Sequence, residues 1–489
     1  MEDFFLGRTF DDFLLRPQKG IVETRRDVSL AMPLSRNLKI CLPIIAANMD
    51  TVTAAKMMKT MSLEGGFAFL HRNCSISEQA AMVRSVKKQH SHVVENPLII
   101  SPEETIADAI QLTEKHHISG LLIEREKGSR VLVGILSRRD LEFARNVNAL
   151  HEKAIGFKGL QYPLTIADPS ISLIAAEKVM LDSRVEKLPL VDSEGRIVGL
   201  ITLKDLRAVK QKPYSSKDSK GKLLVGAAIG STGDYLERAA ELIKQDVDCI
   251  LMDIAHAHSE VMGKAIECFH AKFGKQVDLI CGNVATMEAV EFLLELDVDA
   301  VKIGVGPGRG CRTRLETGYG VPQVQALREA FMAIKNWVSR GHDFIPVIAD
   351  GGANNDKDIF MAIACGASTV MLGSMLAGTD ESPGDIIINP GTRQKMKRYR
   401  GMTSPEAVLD NLTGPGDLNQ NTPPEGQEDR VAYVGSVVDV LRRIAGHLKS
   451  AVSYSGTNSL SDAWKEISAN PEKYFIPLSE ASRKESFDR

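Results

Sequence analysis

Val301-Lys302-Ile303-Gly304-Val305-Gly306-Pro307-Gly308-Arg309-Gly310-Cys311-Arg312-Thr313-Arg314 is the stretch on which the reading of this chain turns. An apolar run of strand type gives way to glycines and a proline, and a cysteine then stands between arginines. Glycine lets backbone N–H groups approach an anion, because no Cβ stands in the way. Cationic side chains and helix-end N–H groups around a thiol favour its thiolate, which is the nucleophile. Two pictures fit the stretch alone. One is a strand-end loop that binds a phosphate-bearing substrate and attacks it with Cys311; the other is a glycine turn around an inert cysteine.

The same pattern, an apolar run ending in glycine or a carboxylate, recurs along the chain. Leu224–Ile229, Cys249–Asp253, Asp278–Cys281, Ala300–Ile303, Ile345–Asp350 and Thr369–Leu372 read as strands, with helical stretches such as Leu236–Gln245 and Met287–Leu296 between them. Near the start, Leu42–Ala47 and Gly66–Leu70 flank a helical stretch at 53–64. Six strands and two make eight, which predicts a (β/α)₈ TIM barrel. A doubly wound open sheet is the alternative; the strand count and the lack of an early dinucleotide glycine fingerprint favour the barrel.

Residues 92–210 interrupt this alternation with a duplication. Gly134-Ile135-Leu136-Ser137-Arg138-Arg139-Asp140 and Gly199-Leu200-Ile201-Thr202-Leu203-Lys204-Asp205 share one frame, Gly-apolar-apolar-Ser/Thr-x-x-Asp. Each Ser/Thr and Asp can cap the helix that follows or hold a ribose. The duplication resembles a tandem CBS (Bateman) module. That resemblance implies regulatory binding of purine nucleotides at Ser137, Asp140, Thr202 and Asp205; a packing duplication without a ligand is the other reading. The expected layout is therefore barrel over 1–91, module over 92–210, an exposed polar linker over 211–221, and the rest of the barrel over 222–489. A polar, Gly/Pro/Asn/Asp-rich lid is expected at about 385–435, with a C-terminal tail after the barrel.

Composition narrows the function class. A net charge of −3 gives no basic surplus to argue for nucleic acid. No run approaches the roughly 18 apolar residues of a membrane span, and the N-terminus, Met1-Glu2-Asp3-Phe4-Phe5, has no cationic leader. Seven dispersed cysteines without CxxC pairs fit reduced thiols and a cytoplasmic location.

Barrel sites gather where strands run into the following loops. The residues there are Asn48-Met49-Asp50, Asp253 with His256 and Ser259, Gly282-Asn283, the 306–313 loop, Asp350-Gly351-Gly352 and Gly373-Ser374. Late glycine loops suit a phosphate. Asp350 and Asp253 each have the chemistry to accept from a ribose diol, which suggests a nucleotide substrate together with a dinucleotide.

These blocks resemble the IMP dehydrogenase / GMP reductase family almost end to end. The resemblance rests on Ala47-Asn48-Met49-Asp50, Asp253–Ser259, Gly282-Asn283-Val284, Gly306-Pro307-Gly308 with Cys311 and Thr313, Ala349–Gly352, Met371–Gly384 and Tyr399-Arg400-Gly401-Met402. It implies that Cys311 attacks purine C2 to form a thioimidate, that Thr313 assists proton transfer at the adduct, and that Glu425 is a catalytic residue near the purine ring. It implies substrate contacts from Asn48, Asp50, Gly308, Asp350, Gly352, Gly373, Ser374, Tyr399, Gly401 and Met402, and cofactor contacts from Asp253, His256, Ser259 and Asn283. K⁺ bound to the backbone carbonyls of Gly306, Gly308 and Cys311, and a homo-tetramer that can pair into an octamer, are further implications.

The family runs two reactions. Its dehydrogenases oxidise IMP to XMP with NAD⁺ and carry an adjacent Arg-Tyr pair in the lid to activate water. Its reductases turn GMP into IMP and ammonia with NADPH. The matching segment here, Asp410–Glu425, contains neither Arg nor Tyr, which points to a CBS-bearing GMP reductase. The inserted module and the Glu485-Ser486 ending look like the dehydrogenase. Arg309-Gly310-Cys311-Arg312-Thr313 departs from the family's usual Ser-Ile-Cys-Thr-Thr, which keeps a non-catalytic nucleotide sensor as a third reading. Arg309 stands where the family has a hydroxyl phosphate ligand, and it can either replace it with a charge-assisted contact or block the usual pose.

Overall fold

The computed structural model describes residues 2–88, 94, 96–116, 118–146, 150–154, 164–204, 206–207, 212–218, 221–402, 404–405, 407 and 425–487. The chain divides into two compact units, Met1–Gln89 with Tyr214–Arg489, and His90–Pro213.

All eight expected strands form in the first unit: β1 (Ile44–Ala46), β2 (Phe67–Leu70), β3 (Gly226–Ile229), β4 (Cys249–Asp253), β5 (Asp278–Val284), β6 (Ala300–Ile303), β7 (Val347–Asp350) and β8 (Thr369–Leu372). They pair in parallel and close into a barrel, β8 returning to β1 through Val370↔Ile44 and Leu372↔Ala46. Strands β2 and β3, separated in sequence by the second unit, pair directly through Phe69↔Gly226. The helices α1 (Ala55–Leu63), α2 (Ile76–Lys88), α3 (Tyr235–Lys244), α4 (Glu260–Phe273), α5 (Met287–Glu295), α6 (Gln323–Ser339), α7 (Asp356–Ala364) and α8 (Val437–Tyr454) alternate with the strands. This is a (β/α)₈ TIM barrel.

The period-two alternation of strands divides the core into two layers. Ile45, Phe67, Phe69, Ala228, Leu251, Ile280, Ala300, Ile348 and Met371 fill the lumen. Their sequence neighbours, such as Ala46, Ala68, Ile250, Val301 and Ala349, pack outward under the helices. The same parity sends a charged residue at or next to the end of several strands inward at the top of the lumen. Asp253 follows Leu251 on β4, Lys302 follows Ala300 on β6, and Asp350 follows Ile348 on β7.

Two segments depart from the sequence reading. Residues 211–221 were expected to be an exposed linker. From Tyr214 onward the chain instead packs on α1: the Ser216 N–H donates to the Ser62 carbonyl at 2.8 Å, the Ser215 hydroxyl donates to the Leu63 carbonyl at 3.0 Å, and Ser216 is buried. The 385–435 excursion is not loop throughout. Ile387–Ile388, Lys395–Arg400 and Glu428–Ala432 form a three-stranded antiparallel sheet, with Tyr399 opposite Asp429.

In the second unit the duplication becomes two antiparallel strand pairs, Gly120–Glu124 with Leu132–Ser137 and Lys187–Val191 with Ile197–Thr202.

Candidate active site

The inward strand ends build a buried polar cluster. Lys302 is 2 % exposed in a lumen otherwise filled with aliphatic and aromatic side chains. Its Nζ lies 2.5 Å from Asp350 Oδ2 and 3.0 Å from Asp253 Oδ1, and it also donates to Asn283 Oδ1. Burial acts to lower the lysine pKa, but the carboxylates of Asp253 and Asp350 outweigh it and hold the pKa above the ordinary lysine value. Asn48 donates to Asp253 Oδ2 at 2.7 Å, and Asn283 donates to Asp350 Oδ2 at 2.9 Å and to the Gly304 carbonyl at 2.6 Å. A register shift between Gly282 and Val284 accompanies the turn of Asn283 toward this cluster. The two carboxylates are thus paired and fixed in direction, an arrangement that suits acceptance from a ribose diol.

Above the cluster lies a cavity of about 240 Å³. Its wall includes Asn48, Asp253, Asn283, Lys302, Gly306, Gly308, Cys311, Thr313, Asp350, Gly352, Gly373, Ser374, Tyr399, Gly401 and Met402. The chain thereby brings most of the sequence-derived residues to one place. Gly351, at φ +84°, comes so close to the Cys311 loop that a Cβ on it would lie 3.0 Å from Gly308 N. A Cβ on Gly373 would lie 2.8 Å from the Tyr399 hydroxyl. Burial, reinforced by the Asp350 carboxylate, pushes the Tyr399 phenol pKa up, so it stays a neutral hydrogen-bonding group. A surface groove of about 610 Å³ beside Gln18, Lys465 and Lys473 gathers no strand-end residues.

Cys311, Thr313 and Glu425 form a continuous hydrogen-bonded chain. The thiol donates to Thr313 Oγ1 at 3.2 Å, and the Thr313 hydroxyl donates to Glu425 Oε2 at 2.6 Å. The three arginines around the cysteine are engaged elsewhere, in contrast to their expected role beside the thiolate. Arg309 places Nε and Nη2 each 2.7 Å from Asp429 Oδ2, Arg312 donates to Glu316 at 2.7 Å, and Arg314 donates to the Val305 carbonyl at 3.3 Å and to that of Val321.

Four expected residues do not line the cavity. The Asp50 carboxylate pairs with Arg400 (2.6 Å from Nη2) and accepts from Asn73 at 3.1 Å. Burial acts to raise its pKa, and those hydrogen bonds outweigh it and hold the carboxyl below the usual range. Ser259 caps α4 by accepting from the Met262 N–H at 3.3 Å. His256 is exposed beyond β4, its ring centroid 6.3 Å from that of His258. Glu425 reaches the site through Thr313. On the K⁺ positions, the Gly308 carbonyl accepts the Cys311 N–H at 3.0 Å, while Gly306 packs against the Arg314 stem, where a Cβ would lie 2.5 Å from Arg314 Cγ. The Arg314 guanidinium donates to the neighbouring Val305 carbonyl at 3.3 Å. Lys302 and Arg72 line the cavity without having been singled out from the sequence. Lys302 had a readable signal, a single charge at an inward position of β6.

In the second unit, Asp140 accepts from the Ser137 N–H and hydroxyl at 2.7 and 2.6 Å, which is a helix-capping arrangement. Thr202 ends its strand, and Asp205 lies outside the described residues.

Known proteins bear on this site. Residues 7–488 match the IMP dehydrogenase / GMP reductase domain. The inosine-5′-monophosphate dehydrogenase of Aquifex aeolicus is 40 % identical over 93 % of this chain and 91 % of its own length. That of Nitrosopumilus maritimus is 40 % identical over 99 % and 98 %. Among solved structures, a variant of GMP reductase from Trypanosoma brucei in complex with guanosine 5′-monophosphate matches with a TM-score of 0.82 at 37 % identity, covering 98 % of this chain and 97 % of that one. The same enzyme in complex with guanosine 5′-triphosphate matches with a TM-score of 0.73 at 34 % identity, covering 97 % and 98 %. With the cysteine loop, the paired strand-end carboxylates and the barrel in one arrangement, the chain belongs to the IMP dehydrogenase / GMP reductase family.

Proposed function

We propose that the protein is a GMP reductase, converting GMP to IMP and ammonia with NADPH. The observation that carries the covalent chemistry is the Cys311–Thr313–Glu425 hydrogen-bond chain at the cavity wall. Through it the thiol proton passes to Thr313 as the Thr313 proton passes to Glu425, leaving a thiolate. The thiolate adds to purine C2. The same path returns a proton to the 2-amino nitrogen, the C2–N bond breaks, and ammonia leaves a C2–S thioimidate. A reduced nicotinamide held at Asp253 would supply a hydride to C2; the C–S bond breaks, the Cys311 thiolate leaves with its electron pair, and C2–H remains as IMP. Asp350, held by Lys302 and Asn283, suits the substrate ribose. Gly352, Gly373, Ser374 and Tyr399 suit its phosphate, and Asp253 suits a cofactor ribose.

Reduction is favoured over oxidation because Asp410–Glu425 offers no Arg and no Tyr to activate water. A thioimidate without a water-activating base waits for hydride. The likeness to the Trypanosoma brucei reductase supports the same direction. IMP dehydrogenase is the second reading, favoured by the names of the relatives at 40 % identity. The test is absorbance of the reduced nicotinamide band with purified protein. Loss of signal with GMP and NADPH supports the reductase; steady gain with IMP and NAD⁺ overturns it. Silence with both, with nucleotide still bound, supports a sensor.

The proposal extends to the rest of the molecule. The second unit is a tandem CBS module that binds purine nucleotides, which calorimetry with ATP and GTP on the full chain tests. The enzyme works as a cytoplasmic tetramer able to pair into octamers, which light scattering tests. K⁺ held by the carbonyls of Gly306, Gly308 and Cys311 would appear as activation by K⁺ over Na⁺. No helix among the described residues is long and apolar enough to cross a membrane.

A further inference from the structure

The Cys311 loop is zipped to the segment that carries Glu425. The Arg312 N–H donates to the Glu425 carbonyl at 2.7 Å, and the Gln427 N–H donates to the Gly310 carbonyl at 3.1 Å. Cys311 and Gly426 face each other as an antiparallel bridge. Side chains reinforce the ribbon: Gln427 Nε2 donates to the Arg309 carbonyl at 2.9 Å, and Arg312 Nη1 donates to Gln427 Oε1 at 3.3 Å. Gly401 packs on the back of the ribbon, where a Cβ would come within 2.4 Å of the Gly310 carbonyl. The ribbon ends at Arg309, whose Nε and Nη2 both grip Asp429 Oδ2 at 2.7 Å. Asp429 Oδ1 accepts the Arg430 N–H at 2.7 Å, which orients the carboxylate.

We propose that Arg309 and Asp429 are a clasp, a pair of positioning residues that sets the register in which Glu425 meets Thr313. Arg309 also lines the cavity beside Cys311, with its guanidinium turned to Asp429 rather than to the thiol. The pair fixes the far end of a short ribbon whose near end delivers the Glu425 carboxylate to the Thr313 hydroxyl. When the clasp opens, the ribbon is left with backbone bonds and the Gln427 contacts, and Glu425 spends less of its time at 2.6 Å from Thr313. The two arginines flanking Cys311 thereby acquire a role: Arg309 closes the clasp and Arg312 reaches Gln427 at its centre. The pair is about half exposed, with Arg309 at 49 % and Asp429 at 35 %. Its contribution is therefore modest and sensitive to salt.

The inference rests on the reading of Cys311 as the nucleophile, so its test has two readouts. The first is kcat and KM with GMP and NADPH. The second is the rate at which iodoacetamide alkylates Cys311, followed by peptide mass spectrometry, which needs no turnover. Arg309→Ala and Asp429→Ala are each expected to lower kcat by about fivefold, as loss of an exposed ion pair allows, with little change in KM for GMP. Combining the two should cost no more than either alone. Exchanging the charges, Arg309→Asp with Asp429→Arg, should recover kcat to within about twofold of the wild type. The alkylation rate should shift in both single variants and return in the exchange. If the wild type turns over neither nucleotide, the reaction assignment fails while the alkylation series still decides the clasp. The clasp is overturned if Arg309→Ala raises KM at unchanged kcat while Asp429→Ala is silent, because Arg309 is then a phosphate ligand. Additive losses, or an exchange that recovers neither readout, overturn it as well.

Discussion

Gly282 on β5 faces Lys302 on β6 so closely that a Cβ on the glycine would lie 2.6 Å from the Lys302 Cβ and 2.8 Å from its carbonyl oxygen. The missing side chain is what allows a lysine to stand inside the barrel beside its carboxylate partners. Gly282→Ala must push strand or lysine aside. Overpacking of this kind costs about 1–3 kcal/mol, so a drop of several degrees in Tm and a rise in KM for nucleotide are expected. An unchanged Tm with unchanged KM would show that the contact relaxes freely.

Cys311→Ser should abolish turnover and leave nucleotide binding largely intact, since the serine retains the bulk but is a far poorer nucleophile at neutral pH. Calorimetry with GMP separates the two effects. Retained turnover would remove Cys311 from the covalent step.

Glu425→Gln keeps the shape of the group that accepts from Thr313 but removes its basicity. A loss in kcat of about 10²–10⁴ is expected, the usual span for a general acid–base, with KM for GMP little altered. Thr313→Val should lie in the same range, and the double variant should be no worse than the poorer single one, because both interrupt one path. Additive losses would place the two residues on separate paths.

Asp248 supplies a pH prediction. It is buried beside Lys87, whose Nζ lies 2.7 Å away and also 3.0 Å from Asp218. Burial, only partly offset by Lys87, raises its pKa to about 6. An unfolded aspartate titrates near about 4, so between those values the native state keeps a proton that the unfolded chain has lost. The stabilisation from that proton is fully present below about pH 4 and disappears as pH rises through about 6. Asp248→Asn cannot titrate. The Tm difference, wild type minus variant, should therefore grow in favour of the wild type as pH falls from about 7 to about 4.5. A difference that is flat, or that runs the other way, would show that Lys87 keeps Asp248 ionised.

What could be read ahead of the structure followed sequence distance. The barrel strands are short, local and apolar with glycine or a carboxylate at the end, so their number, order and functional ends were visible in the chain. Cys311 and Thr313 lie two positions apart and were legible together. The partners of the arginines were not: Arg309 meets Asp429 at a separation of 120 residues, and Asp50 meets Arg400 at a separation of 350. No local pattern reports a pairing made only when the barrel closes. Lys395–Arg400 and Glu428–Ala432 were hidden differently. Their charged alternation reads as a polar loop, and they become strands because each supplies the other's hydrogen bonds. Lys302 was missed by treating β6 as an apolar run without following its parity.

The direct pairing of β2 with β3 has an architectural consequence. The barrel is sealed by residues on both sides of the second unit, and Lys87, just before that unit, reaches Asp218, just after it, across 3.0 Å. The departure and return of the chain therefore share one anchorage, and all eight barrel strands lie outside residues 90–213. In engineering terms the junction is a socket. Residues 90–213 could be exchanged for a turn of a few residues, or for a different sensory unit, without re-threading any strand of the barrel.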